Sequence, residues 1–221
     1  MGDVLDQVVT GVIAAGAPLP TDREIAARYV CDLSVAREAV RALEERGVVD
    51  VQTGRGKTVL ADERWKLLDR DVAETALLRH RDRRLLREAV DFFALVATRT
   101  AALAARRLNS GDRDELAQII EQMRVARHVG NGTADRDEFV EAETAFHRHV
   151  IVMSGNRFMA SALEALHPVL ARVRRLRAAD RDSSVIALHE DILRALEHRD
   201  PTAAAAAIER YCERLASWLR A

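Results

Sequence analysis

Between Gly47 and Leu60 the apolar residues of this chain stop recurring at every third or fourth position and take up an extended pattern, and they do so nowhere else. Val48-Val49-Asp50-Val51, a turn through Thr53-Gly54-Arg55-Gly56, and Thr58-Val59-Leu60 read as a β-hairpin. Ahead of it, Val4, Leu5, Val8, Val9, Val12 and Ile13 lie at helical spacing over residues 3–15, a helix that Gly16, Pro18 and Pro20 would stop. Thr21 and Glu24 form a capping box for a second, short helix that runs to about Tyr29. Asp32 or Ser34 can cap a third helix, in which Ala36, Ala39, Val40 and Leu43 make one apolar stripe and which Gly47 closes in a left-handed C-cap. Three short helices followed by a hairpin make the winged form of helix-turn-helix, whose third helix enters a major groove while the hairpin touches the flanking backbone.

From Leu67 onward the pattern is helical, with breaks at Asn109-Ser110-Gly111, Gly130-Asn131-Gly132, Ser154-Gly155-Asn156, Ala179 to Ser184 and Asp200-Pro201. Short breaks imply antiparallel neighbours in a bundle. The run Ala203 to Ala207 reads as close-packed helix, because alanine is the strongest helix former. The expected fold is therefore mainly α. A winged helix-turn-helix covers residues 1–62, a linker and linking helix 63–79, and an antiparallel all-α helical bundle 80–221.

Composition narrows the choice of partner. With 48% hydrophobic and 31% charged residues among 221, the chain suits a soluble globular protein. It has no uninterrupted run of about eighteen apolar residues, and its start carries two aspartates where a leader would be basic, so a cytoplasmic protein without a membrane partner is expected. Cys31 and Cys212 are far apart and lack a CxxC partner, which suggests neither a disulfide framework nor a zinc finger. A net charge of -1 offers no global attraction for nucleic acid, and within residues 1–60 seven basic side chains face nine acidic ones. Any DNA binding must rest on placement. Ser34, Arg37 and Arg41, at i, i+3 and i+7, lie opposite the apolar stripe of the third helix and offer donors to phosphate or to guanine O6 and N7. The hairpin tip from Gln52 to Lys57 adds Arg55 and Lys57, and its glycines allow close approach to phosphate.

The stretch Leu19-Pro20-Thr21-Asp22-Arg23-Glu24-Ile25-Ala26, the segment from Arg37 to Val49 and the Gly54-Arg55-Gly56 wing resemble the GntR family of bacterial transcription factors. The resemblance implies DNA contacts by Arg23, Asp32, Leu33, Ser34, Val35, Arg37, Thr53 and Gly54, to which the placement above adds Arg41 and Arg55. The chain departs from the family where Gly-Val-Ser-Arg is usual: it has Val30-Cys31-Asp32-Leu33, without the turn glycine or the base-reading arginine. Leucine cannot hydrogen-bond guanine but can pack on a thymine methyl, so the operator should differ at that base pair. The bland alternative is a solvated face with surface ion pairs, Arg37 with Glu38 or Arg41 with Glu45.

Trp65-Lys66-Leu67-Leu68-Asp69-Arg70-Asp71-Val72, Phe146-His147, Ser154-Gly155-Asn156, His189 with Ile192-Leu193, and Asp200 are similar to the FadR subfamily of that family. The resemblance implies a C-terminal domain that binds a small carboxylate metabolite and often a metal, and the linker hints at sugar acids. Metal-containing members use an aspartate, a histidine four residues on and two later histidines; those positions fall on Glu143, His147, His189 and Tyr211. Glutamate is a competent ligand and neutral tyrosine a poor one, so weak binding or none is expected; zinc, nickel or manganese would suit Glu143, His147 and His189 with an open position. Arg87 matches a position where the subfamily keeps an arginine near the pocket, its alternative being an ion pair with Asp91, and Asn156 is a helix cap or an effector contact. The implied function is operator binding to double-stranded DNA by a homodimer under control of a small carboxylate effector. Two rivals are a helical-bundle metalloenzyme, for which only one of two required Glu-x-x-His motifs (Glu164 to His167) is present, and a ligand-binding protein that has lost operator specificity.

Overall fold

The computed structural model describes residues 2–52, 54, 56–79, 83–129, 133–178 and 184–220. They form two compact units, Met1–Arg81 and Asp82–Ala221.

In the first unit, helix α1 spans Gly2–Val9, α2 Asp22–Tyr29 and α3 Leu33–Glu45, and strands β1 (Val49–Gln52) and β2 (Gly56–Val59) pair antiparallel with Val49 opposite Val59. The first helix is shorter than its apolar spacing predicts. Gly11, at φ 75°, turns the chain out of helix, and Val12 is left exposed. The α2 capping box forms as expected: the Thr21 hydroxyl oxygen accepts from Glu24 N, and Glu24 Oε2 accepts from Thr21 N. Asp32 is the N-cap residue of α3, but its side chain makes no capping hydrogen bond, and Ser34 lies inside the helix. Ala36, Val40 and Leu43 are buried against the remainder of the unit, with Ile25, Val48 and Val59 also in its interior.

The linking segment belongs to this unit. Helix α4 (Arg70–Arg79) packs against α1. Arg46, at the C-terminus of α3, donates to Asp69 Oδ1 at 3.1 Å and to Asp71 Oδ2 at 2.7 Å, and its carbonyl accepts from Lys66 N. Asp69 also caps α4, accepting from the backbone of Asp71 and Val72. Gly47 is required twice over: its φ is 70°, and a Cβ there would meet Arg64 O at 2.8 Å.

The second unit is helical among its described residues: α5 (Arg83–Ala105), α6 (Ser110–Val129), α7 (Thr133–Met153), α8 (Arg157–Glu164), α9 (His167–Ala178), α10 (Ser184–Glu197) and α11 (Pro201–Arg220). Helices α5 and α11 pack along each other through small residues, Ala97, Ala101 and Ala104 on one and Ala204 and Ala207 on the other all being buried. The alanine run is therefore a close-packing surface. Asp200 caps α11 through Thr202 N and Ala203 N. The break at Gly130-Asn131-Gly132 lies outside the described residues. No described helix is long and apolar enough to cross a membrane.

The missing turn glycine leaves a mark. Val30 is the C-cap of α2 at φ 50° and ψ 52°, a left-handed conformation that costs a β-branched residue about 1–2 kcal/mol, and its side chain is 93% exposed. Replacing it by glycine relieves that strain, partly offset by the freer unfolded chain. Val30→Gly is expected to stabilise the first unit by about 0.5–1 kcal/mol, raising its thermal midpoint by a few degrees; an unchanged or lower midpoint would contradict the strain.

Candidate functional site

Two sets of side chains stand out, one on each unit. Along α3 the residues opposite the buried stripe face outward: Ser34 and Val35 are exposed, and the side chains of Arg37 and Arg41 are 68% and 72% exposed. Arg41 pairs with Glu45, the bland partner expected from sequence, whereas Arg37 lies 3.9 Å from Asp22 on α2 and not beside Glu38. Pairs this exposed are worth at most about 1 kcal/mol and leave both guanidinium groups able to turn outward. Asp22 also takes the ammonium of Lys57, which ties β2 to the start of α2. Arg23 and Asp32 are exposed and Leu33 is half-buried at the first position of α3. Gly54 is exposed at φ 79°, while Thr53 and Arg55 lie outside the described residues.

The second set lies in the interior of the helical unit. Glu143 and His147, one turn apart on α7, share a face with access to His189 on α10, and ligand-type atoms of the three lie within 4.8 Å of one another. All three are buried, as is Tyr211 on α11. Arg174 and Arg177 of α9 enter the same space, each 1% exposed. Arg177 Nη2 donates to Glu143 Oε2 at 2.5 Å, and the Tyr211 hydroxyl donates to Glu143 Oε1 at 2.8 Å. Arg174 Nε donates to the Tyr211 oxygen at 2.9 Å and Arg174 Nη1 to Thr144 Oγ1 at 3.0 Å. Its guanidinium also lies over the Phe93 ring. Arg174 Nη2 and Arg177 Nη1 are buried without a hydrogen-bond partner among the described residues.

The imidazoles complete the cluster. The Val185 carbonyl accepts from His189 Nδ1 at 2.7 Å, so Nδ1 carries the hydrogen and Nε2 is a bare acceptor facing His147 Nε2 at 3.2 Å. Burial, opposed by Glu143 and by the Val185 hydrogen bond, pushes His189 down to about 4. Burial, with the charges of Arg174 and Arg177, holds His147 well below the ordinary histidine value. Burial alone would raise Glu143, but the fields of Arg177 and Arg174 outweigh it and the carboxyl ends below its usual range; burial moves the Tyr211 phenol up. Near neutral pH the cluster, counted over the described residues, thus holds one carboxylate, two guanidinium groups and neutral rings, one positive charge in excess.

That arrangement does not fit a divalent ion. The imidazole spacing alone would: two Nε2 atoms 3.2 Å apart, each about 2.1 Å from an ion, subtend about 100°. Glu143, however, is held at both oxygens, and an ion on Oε2 would stand within about 5 Å of the Arg177 guanidinium, a repulsion of roughly 6–7 kcal/mol at an effective dielectric of about 20.

Arg87 is exposed on α5, and the arginines brought to the cluster are Arg174 and Arg177. Their signal was legible: they continue the apolar stripe Val169, Leu170, Val173, whereas Arg172 and Arg175 face outward. The Asn156 side chain accepts from Phe158 N and Met159 N and caps α8. Glu164 closes one helix and His167 opens the next, and their side chains are 3.8 Å apart, with Arg148 also on Glu164.

Residues 2–59 match the bacterial regulatory proteins of the gntR family, and residues 88–214 match the FCD domain. The chain is 28% identical to the galactonate operon transcriptional repressor of Escherichia coli over 145 residues, 66% of this chain and 61% of that protein. It is also 28% identical to the Glc operon transcriptional activator of Escherichia coli over 162 residues, 72% of this chain and 61% of that protein. In both cases the match spans about three-fifths of the relative's length. Among solved structures, Escherichia coli McbR/YncC superposes with a TM-score of 0.58 at 18% identity, covering 99% of this chain and 93% of the other, a likeness of fold.

The buried histidines make stability depend on pH. Folded, they stay neutral; unfolded, they take up protons near pH 6.5. From about pH 6.5 down to His189's folded value near 4 the unfolded chain binds more protons, so stability is lost as pH falls through that window, and Glu143 adds to the loss below its ordinary 4.5. Between pH 7 and pH 5, His189 alone is expected to cost about 2 kcal/mol, read from urea midpoints of the full chain. His189→Gln should flatten the slope, and a wild-type midpoint constant from pH 7 to 5 would refute the burial of neutral imidazole.

Proposed function

The chain belongs to the GntR family of bacterial regulatory proteins, its helical unit being the FCD domain of the FadR subfamily, and on that footing we propose that it regulates transcription. Its winged helix binds an operator in double-stranded DNA, and its helical unit binds a small carboxylate metabolite, a sugar acid in the first instance. The observation that carries the DNA half is the division of α3 into a buried stripe of Ala36, Val40 and Leu43 and an exposed face bearing Ser34, Arg37 and Arg41. The effector half is supported by the buried cluster's excess positive charge and by relatives named for a galactonate operon and a Glc operon.

Two copies, paired as a homodimer, offer their recognition helices to half-sites about one helical turn apart, roughly 34–36 Å. The effector controls operator affinity only to the extent that it prefers one arrangement of the protein over another. At the first turn of α3, Leu33 replaces a base-reading arginine and packs on a thymine methyl. The reading in which operator binding has been lost gains no support from Val30, because the turn keeps its left-handed residue without glycine. No metal enters this mechanism. Enzyme chemistry is set aside by family membership and by the lone Glu-x-x-His pair, which spans two helices.

The test begins with a footprint on the DNA upstream of the chain's own gene. Arg37→Ala is expected to lower affinity for the protected segment about 10–100-fold with the circular dichroism spectrum unchanged; wild-type gel-shift affinity in that variant would remove Arg37 from the groove. In a panel of sugar acids that includes galactonate, the effector is the compound that changes operator affinity, and His189→Ala should blunt that response without altering DNA binding by the free protein. A response equal to wild type would take His189 out of the effector site.

A further inference from the structure

The two positions at which this chain departs from the metal-binding pattern of its subfamily, Glu143 and Tyr211, both engage the buried arginines. Tyr211 lies between Arg174 and Glu143, accepting from one and donating to the other. Glu143 reaches Arg177 with its second oxygen. A carboxylate one methylene shorter would retreat from that guanidinium, and an imidazole at 211 would have no hydroxyl to join both neighbours. The departures and the arginines thus form one connected network.

Its charge does not close. Among the described residues one carboxylate balances one guanidinium, and the surplus charge is accompanied by two buried groups without a partner there, Arg174 Nη2 and Arg177 Nη1. Buried guanidinium nitrogens are ordinarily paired, and a carboxylate matches their planar donors. The neutral His147 and His189 rings belong to the same buried cluster, joined Nε2 to Nε2 and packed against the Tyr211 ring.

We propose that in this chain Arg174 and Arg177 have taken over the place and the charge of the divalent ion, so that the site binds its carboxylate ligand directly on guanidinium groups and works without a metal. The identity of the ligand rests on the effector reading above. The absence of a metal requirement does not.

Full-length protein, stripped with EDTA and dialysed separately against zinc, nickel and manganese, is expected to retain far less than one ion per protomer by mass spectrometry of the metal. Arg177→Gln combined with Tyr211→His frees Glu143 and restores a fourth ligand, and is expected to take up one zinc per protomer. One ion per protomer in the wild type, lost in His189→Ala, overturns the proposal. So does a double variant that melts cooperatively yet stays metal-free; should that variant not fold, the wild-type counts decide alone. A second arm titrates galactonate into the wild type by calorimetry with EDTA present, where equal affinity with and without zinc and at least a tenfold loss in Arg174→Gln are expected. Binding that appears only on adding zinc overturns the proposal. A protein that binds its operator but no sugar acid unseats the effector reading instead, and the metal counts still decide this one.

Discussion

The helical unit is organised around an ion pair that water does not reach. Removing Glu143, Arg174 and Arg177 from solvent carries a penalty of several kcal/mol for each ion, which only close, well-directed pairing offsets. The helices are therefore held to one another by more than apolar contact: α7 supplies the carboxylate, α9 both guanidinium groups and α11 the phenol that joins them. Breaking such a pair from one side typically costs about 3–5 kcal/mol, because the remaining charge stays buried. Sliding any of these helices by one turn would leave an unpaired ion inside the bundle, so the network fixes their register.

The first unit obeys a different constraint. Its helix α3 has few apolar residues to give to the interior, and Ala36, Val40 and Leu43 occupy one narrow stripe. The other face is left to solvent with its arginines in exposed, loosely paired positions, where moving a guanidinium from a carboxylate to a phosphate changes little in the free protein. The buried arginines of the second unit have no such freedom, Arg174 being held by Tyr211 and Thr144 and Arg177 by Glu143.

The fold was legible in the sequence wherever a periodic pattern had a chemically distinct end. The capping box at Thr21 and Glu24, the glycine at 47 and the hairpin at 48–60 all have counterparts in the structure. The first helix was overextended because Val12 and Ile13 keep the spacing, while Gly11 stops the helix before they can join it. At the site, spacing on a single helix pointed to Glu143 and His147 together, since i and i+4 meet on any helix. Their meeting with Arg174, Arg177 and Tyr211 depends on how three helices pack, which no local pattern encodes. Chain position likewise says nothing about which way a helix faces, and Arg87 is exposed on α5.

Arg46 sits where α3 ends, and its two carboxylate partners come from the segment that leads out of the winged helix. With Lys66 N on its carbonyl and Trp65 Nε1 on Leu60 O, that segment is fastened to the DNA-reading unit at several points before the chain passes on. Anyone excising this reader for study should cut beyond residue 79. A fragment trimmed at the hairpin would expose the α1 surface that α4 covers and leave the Arg46 guanidinium without its acids, so its weakness would reflect the scissors and not the protein.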